Sequence, residues 1–311
     1  MLASLTNTPA RIALVLACVA LALAAPFLMY PIFLMKVLCF ALFACAFNLI
    51  LGFGGLLSFG HAAFFGTASY TAAHAAKVWG LSPELAILCG VAAGASLGLV
   101  IGALAIRRQG IYFAMVTLAF AQMVYFIAVQ ARFTGGEDGI QAVPRGHLFG
   151  LIALRSDITL YFVVLAITLG GMALIWRIVH SPFGQILHAI RDNEARAVSL
   201  GYRVNRYKLA VFVLSAGLSG LAGATKAIVF QLATLTDVHW TMSGEVVLMT
   251  LIGGMGTVFG PAIGALVIVT LQNYLAPVGA WATIIQGVIF VITVLLFREG
   301  IAGMIRRLFR R

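Results

Sequence analysis

Charge is scarce in this 311-residue chain: only 9% of it is Asp, Glu, Lys or Arg, against about a quarter in a soluble domain. With 62% hydrophobic residues and a mean hydropathy of +1.07, that scarcity excludes a disordered chain and argues against an ordinary soluble enzyme. Cysteine is sparse too. Cys18, Cys39, Cys45 and Cys89 all lie in apolar stretches, with neither metal spacing nor the density of a disulfide-stapled fold, and read as small core residues. His61, His74, His147, His180, His188 and His239 lack close ligand spacing, so no metal site is expected. A phosphate-cradling G-x-x-x-x-G-K-[ST] loop is missing, and Gly254-Met255-Gly256 runs on to Phe259 where a dinucleotide fingerprint needs glycine. The net charge of +11 belongs to residues that flank apolar runs, so it speaks for membrane topology and anionic headgroups rather than nucleic acid.

Long apolar runs fill the remainder. A helix needs about 20 such residues to cross a hydrocarbon core of about 30 Å. Ile12–Tyr30 carries no charge, and Ile32–Gly52 carries only Lys36, near its end. Further runs are Phe53–Ala76, Leu85–Ile106, Ile111–Ala131, Ile158–Trp176, Leu209–Gln231, Val246–Phe259, Ala262–Ala276 and Ala280–Phe297. They lack the alternating polarity of barrel strands, so the expected fold is all-α. It is a polytopic membrane protein of about ten helices, with eight as the smaller count, in one domain over residues 1–311. Phe53–Ala76 is too polar for a lipid-facing rod, and the glycines and Pro261 of Val246–Ala276 predict two short crossings or a re-entrant pair. Arg11 with Ile12–Ala24 has the form of a secretory leader, but the uncharged run continues to Tyr30, beyond a usual leader core.

Fourteen of the twenty Lys and Arg residues fall on one set of loops, which include Arg107, Arg108 and the segment from Arg177 to Lys208. By the positive-inside rule those loops and both termini face the cytoplasm. The acidic Glu84, Glu137, Asp138, Asp157, Asp237 and Glu245 fall on the opposite side, so no carboxylate is expected at mid-membrane. Lys36 and Lys226 lie within apolar runs. Gly90, Gly94, Gly98 and Gly102 recur every four residues and form one helix stripe; such small residues let backbones approach closely in lipid. Ser215, Gly217, Ser219, Gly220 and Gly223 read the same way.

The segment Ser181–Lys208 is too ordered for a linker. Ser181 suits an N-cap and Pro182 the first helical position. Phe183, Ile186, Leu187 and Ile190 share one face, Asp192 and Asn193 can cap a second helix, and Gly201 can turn left-handed after Leu200. Two short amphipathic helices are expected, either as a solvated connection or as a docking surface.

Glu194-Ala195-x-Ala197 followed by Gly201 resembles the cytoplasmic EAA loop of bacterial ATP-binding-cassette (ABC) importer permeases, where an ATPase docks. Several further stretches narrow the resemblance to the branched-chain amino-acid permease family of LivM type. They are Arg206 to Ala210, Ser215 to Gly223, Asn48-Leu49, Ser58 to Phe64, Gly110 to Ala114, Thr134 to Gly139 and Ser243 through Gly253-Gly254-Met255-Gly256 to Gly260-Pro261. Arg196 and Gly55 depart from its usual residues. The resemblance implies a multi-pass permease of the bacterial inner membrane, with the coupling loop at 181–208. Its expected partners are two ATPase subunits that bind the ATP, a second permease, a periplasmic solute-binding protein and a small, mainly apolar amino acid. No cofactor is expected on this chain.

Polar residues within membrane segments often line a pathway. The candidates are Asn48, Ser58, His61, Thr67, Tyr70, Thr117, Gln122, Glu245 and Thr250. Several of these side chains can instead bond their own helix backbone. Ser58 and His61, three apart, have the spacing of a nucleophile and its base, but no acid is at hand to orient the imidazole. A urea or short-chain amide importer, a stand-alone secondary carrier and a membrane-embedded enzyme are the alternatives. The carrier lacks its coupling carboxylates, and the enzyme its catalytic constellation.

Overall fold

A computed structural model describes residues 22–148, 150 and 152–275, with 281, 284–285, 287–289, 291, 300–301 and 303 near the end of the chain. Cys18, the first run up to residue 21, much of Ala280–Phe297 and the ends of the chain lie outside the described residues.

Residues 22–28 are helical and precede α1, Pro31–Asn48, which continues into a π-helical turn at Leu49–Phe53. Residues 54–60 are not helical; α2 spans His61–Lys77 and α3 Pro83–Ala105. α4 spans Ile111–Gln130, and a layer of short turns and strands follows, with β1 at Ile140–Gln141, β2 at His147–Leu148 and β3 at Ile152–Ala153. α5, Asp157–Val179, leads to two short helices, α6 at Pro182–Asp192 and α7 at Glu194–Ser199. α8 is the longest helix described, Val204–Phe230. β4 at Leu232–Ala233, α9 at Leu235–Val238, α10 at Trp240–Gly253 and α11 at Gly260–Leu275 complete the described chain.

The protein is an all-α polytopic membrane protein. Five of its helical segments are long and apolar enough to cross a bilayer: Pro31–Phe53, α3, α4, α5 and α8. Buried residues make up 72% of the apolar window in Pro31–Phe53 and in α8, against 33% in α4, so the first two form the centre and α4 faces outward. α8 packs against α1, α2 and α3. The Gly90–Gly102 stripe provides the α3–α8 approach: a Cβ on Gly90 would lie 2.7 Å from that of Ala224, and one on Gly94 3.2 Å from the Gly220 Cα. Dispersion over that close backbone contact takes the place of a hydrophobic driving force absent in lipid.

One end of the bundle carries the basic loops: residues 106–110, α6, α7 and the linker between α10 and α11. At the other end β1 pairs with β4 antiparallel, Ile140 opposite Ala233, and β2 pairs with β3. The run Phe53–Ala76 is therefore only partly a helix. Residues 54–60 fold back into the bundle, and α2 starts at depth, where His61 lies against Phe47. Beyond α8 the chain dips inward again, bringing Val238 against Gly66 on α2. α10 and α11 then descend to the basic end and return; at 14 and 16 residues each is about 21–24 Å long, too short alone for a full hydrocarbon core.

Candidate functional site

The helical pair α6–α7 is built as its sequence dictates. The Ser181 hydroxyl accepts from Gly184 N at 3.4 Å and Pro182 opens α6; Asn193 Oδ1 accepts from Arg196 N at 2.9 Å and opens α7. Leu187, Ile190 and Ala197 are buried, with Ile190 and Ala197 clustered on Val204 at the start of α8. Gly201 holds φ at +86° with open space around its Cβ direction, so backbone strain, not crowding, selects glycine there. Ala195 and Gly201 are exposed, as are the apolar Val198 and Leu200 beside them. Glu194 is engaged within the chain: its Oε1 pairs with Lys208 Nζ at 2.8 Å and accepts from Gln109 Nε2 at 3.3 Å. A groove of about 360 Å³ opens beside this pair, lined by Phe183, Gly201, Tyr202, Arg203, Arg206, Tyr207 and Ala210.

Besides its apolar packing, α6 is joined to the first long helix by one guanidinium. Arg191 Nη1 donates to the carbonyl of Gly52 in the π-helical turn, and its stem lies over Gly55. That carbonyl is available because the helix ends at Phe53, and the carbonyls of a last turn have no partner within their own helix. Asn48, one turn earlier, reaches across to the α10–α11 linker: its Nδ2 donates to Thr257 O at 2.8 Å and its Oδ1 accepts from Gly256 N at 3.1 Å. Gly52 has to be small, since a Cβ there would lie 2.6 Å from Gly256 N. Arg191, Gly52, Asn48 and Gly256–Thr257 thus form one continuous junction from α6 to both broken segments of the bundle. His188, one turn before Arg191, packs edge-on against Phe53 at 5.4 Å. Burial, then the Arg191 charge, hold its pKa below the usual histidine value, with Asp192 opposing.

Ser58, His61 and Thr117 meet where the re-entrant backbone must be satisfied without water. His61 Nδ1 contacts Ser58 Oγ at 3.1 Å and Nε2 contacts Ser215 Oγ at 2.9 Å, while Ser215 donates to Ala46 O at 2.6 Å. Thr117 accepts from Phe59 N at 3.1 Å, and Ser243 from Ala62 N at 2.9 Å. All of these hydroxyls and the imidazole are fully buried, and no carboxylate among the described residues touches them. The arrangement caps an internal helix start; it does not make a catalytic dyad. Thr250 bonds Val246 O of its own helix at 2.8 Å, and half-buried Thr67 accepts through its carbonyl from Thr71. Tyr70 is buried with no hydrogen-bond partner for its hydroxyl among the described residues, and Gln122 is half-buried on α4. The nine candidates therefore fall in separate places: the Asn48 junction with Thr250 above it, the start of α2 with Ser58, His61 and Thr117, the middle of α2 with Thr67 and Tyr70, Gln122 on α4, and Glu245 on α10.

One acidic residue stands elsewhere than expected: Asp237 reads as a loop residue of the outer side, yet it is drawn into the bundle, whereas Glu245 sits half-buried near the start of α10, at the outer end of the broken segment. Lys226, on an otherwise apolar stretch of α8, requires a counter-charge, and Asp237 supplies it with both oxygens, at 2.8 and 2.7 Å. Asp237 also caps its own short helix through Thr234, and at 2% exposure it is sealed from water. Arg191 and Gln272 carried no signal in the sequence, and Ser215 and Ser243, which stood only in packing or family stretches, were not picked out as hydrogen-bond partners of the α2 start because those partners lie far away in the chain.

A polytopic helical bundle with a capped helix pair tied to its interior has the build of a membrane permease. The chain belongs to the family described as branched-chain amino acid transport system, permease component, whose model matches residues 29–294. It is 26% identical over 282 residues to the high-affinity branched-chain amino acid transport system permease protein LivM of Salmonella typhimurium, covering 83% of this chain and 66% of that one. LivM of Escherichia coli K12 matches to the same extent. The chain thus spans just under two thirds of these relatives. The ribose import permease protein RbsC of Bacillus subtilis is 32% identical over 174 residues, 53% of this chain and 51% of RbsC. No solved structure matches.

Proposed function

We propose that this chain is a transmembrane subunit of an ABC importer for branched-chain, mainly apolar amino acids in a bacterial inner membrane. Separate ATPase subunits bind ATP and dock on residues 181–208, which face the cytoplasm with the basic end. A second permease and a solute-binding protein on the opposite face complete the assembly. The observation that carries this reading is the Arg191–Gly52 contact. A push on α6 reaches, through one guanidinium and Asn48, the π turn of α1 and the α10–α11 linker together. Packed helices pass such a displacement on as rigid-body motion. The exposed Val198 and Leu200 and the groove at Phe183 and Tyr202 suit a docking partner better than open water.

The test is reconstitution with the partner subunits in proteoliposomes. Wild type accumulates leucine only with ATP. Arg191→Gln should assemble and retain basal ATP hydrolysis but lose about tenfold or more of its uptake. Uptake equal to wild type would overturn the coupling route. A sugar importer is the second reading, favoured by the likeness to ribose permease, and ribose in the same uptake panel separates the two.

A further inference from the structure

We propose that the ATPase subunit seats an acidic segment with an apolar anchor in the groove at the start of α8, its carboxylates on Arg203 and Arg206, and that Glu194 is an inward pin and not the docking carboxylate. The inference rests on the importer reading above and names the chemistry of its docking contact. Between Asn193 and Ala210 the chain holds one acidic residue, Glu194, against four basic ones, Arg196, Arg203, Arg206 and Lys208. Glu194 is already spent: its Oε1 lies 2.8 Å from Lys208 Nζ and 3.3 Å from Gln109 Nε2. Lys208 is only 5% exposed, so a Glu194 drawn out to a partner would leave an ammonium buried without its counter-charge, which is strongly destabilising. Three arginines remain. Arg203 and Arg206 are exposed, and the ion pairs among the described residues, Arg145–Asp157, Lys208–Glu194 and Lys226–Asp237, include neither.

Two cavities meet at those guanidiniums. Phe183, Tyr202 and Tyr207 wall the first, of about 360 Å³, with Phe183 stacked on Tyr207 at 5.7 Å and Tyr202 edge-on to it at 6.2 Å. The second, of about 300 Å³, lies towards α7 and has Val198 in its wall. Arg203 and Arg206 line both. Rings on one side, an exposed valine on the other and a pair of positive charges between them match a segment that sets Asp or Glu beside an aromatic or aliphatic anchor. A guanidinium takes a carboxylate with two parallel hydrogen bonds, whereas a neutral or basic segment would strip its water and return nothing. The place is accessible to a soluble partner. α8, at 27 residues, is about 40 Å long against a hydrocarbon core of about 30 Å, so its first turn and the groove beside it stand clear of the hydrocarbon.

The test uses the complete permease pair in nanodiscs of zwitterionic lipid, titrated with purified ATPase subunit. Arg203→Gln/Arg206→Gln should weaken ATPase binding by about tenfold and Arg203→Glu/Arg206→Glu by about a hundredfold, with the melting temperature unchanged because both side chains are exposed and unpaired. Raising salt from about 50 to about 500 mM should weaken the wild-type complex and leave that of the Gln variant nearly unmoved. Glu194→Gln should lower the melting temperature, and Glu194→Gln/Lys208→Met should regain most of it while keeping the wild-type salt dependence of binding. Wild-type affinity in the charge-reversed variant, or a flattened salt dependence in Glu194→Gln/Lys208→Met, overturns the proposal. So does a Gln variant that keeps its ATPase affinity and loses binding of phosphatidylglycerol in detergent, since the groove would then hold a lipid headgroup. An ATPase that fails to bind the wild-type permease at any salt overturns the importer reading itself, and the groove with it.

Discussion

At the residue scale, Asn48 and Thr250 lie close together on facing helices, yet their chemistry differs. Asn48 spends both ends of its amide on the α10–α11 linker, whereas the Thr250 hydroxyl donates to Val246 O of its own helix at 2.8 Å and reaches Ala44 O on α1 only at 3.4 Å. Asn48→Leu would strand a buried N–H and C=O at about 1–3 kcal/mol. Thr250→Val keeps the shape and should cost less than about 1 kcal/mol. Thermal unfolding of the purified protein in detergent should show a clear loss for the first and little for the second; equal losses would mean that the linker contact does not hold the junction. His188 gives a pH test of the same region. Its native pKa is depressed by burial and Arg191, while in the unfolded chain it titrates near its ordinary value of about 6.5. Below that value the unfolded state binds the extra proton, so stability falls as pH falls. The melting temperature should therefore drop from about pH 7.5 to about pH 5.5, and His188→Gln should shrink the drop. An unchanged drop would assign the effect to other groups.

At the element scale, much was legible. The apolar runs gave the five long helices, because in hydrocarbon a helix must satisfy its own backbone. The four-residue glycine period marked a packing stripe, which the structure sets against α8, and Ser181, Pro182 and Asn193 marked the starts of α6 and α7. The broken elements were not legible in detail. Whether residues 54–60 continue a helix depends on hydroxyls of Thr117, Ser215 and Ser243, which arrive from three other helices. No local period records that. The inward dip at α9 likewise depends on Lys226 needing Asp237, a pairing that a loop-by-loop count of charges assigns to the wrong depth. The stripe offers the element-scale test. Gly94→Leu forces side-chain bulk against Ala216 O and the Gly220 Cα and should cost about 1–3 kcal/mol or more, seen as lost expression and a broadened size-exclusion peak. Gly170 on α5 is exposed with nothing within 4 Å of its Cβ direction, so Gly170→Leu is the matched control and should leave both unchanged. A monodisperse, well-expressed Gly94→Leu protein would show that the stripe is not a contact surface.

At the scale of the whole molecule, the distribution of charge and the position of the junction point the same way. The basic loops, the α6–α7 pair and the α10–α11 linker gather at one end, and the strand-bearing layer with its acidic residues at the other. A machine driven from inside the cell must present its coupling helices to the ATPase side, so sidedness is the property on which the importer reading stands or falls. Val198 on α7 and Val78 just after α2 are both exposed and lie at opposite ends, which makes them suitable reporters. Val78→Cys should react with a membrane-impermeant maleimide in intact spheroplasts. Val198→Cys should react only in inverted vesicles, and added ATPase subunit should slow that reaction by about fivefold or more. Labelling of Val198→Cys from the outside would reverse the orientation, remove the ATPase from its docking helices and leave the Arg191 junction with nothing to transmit.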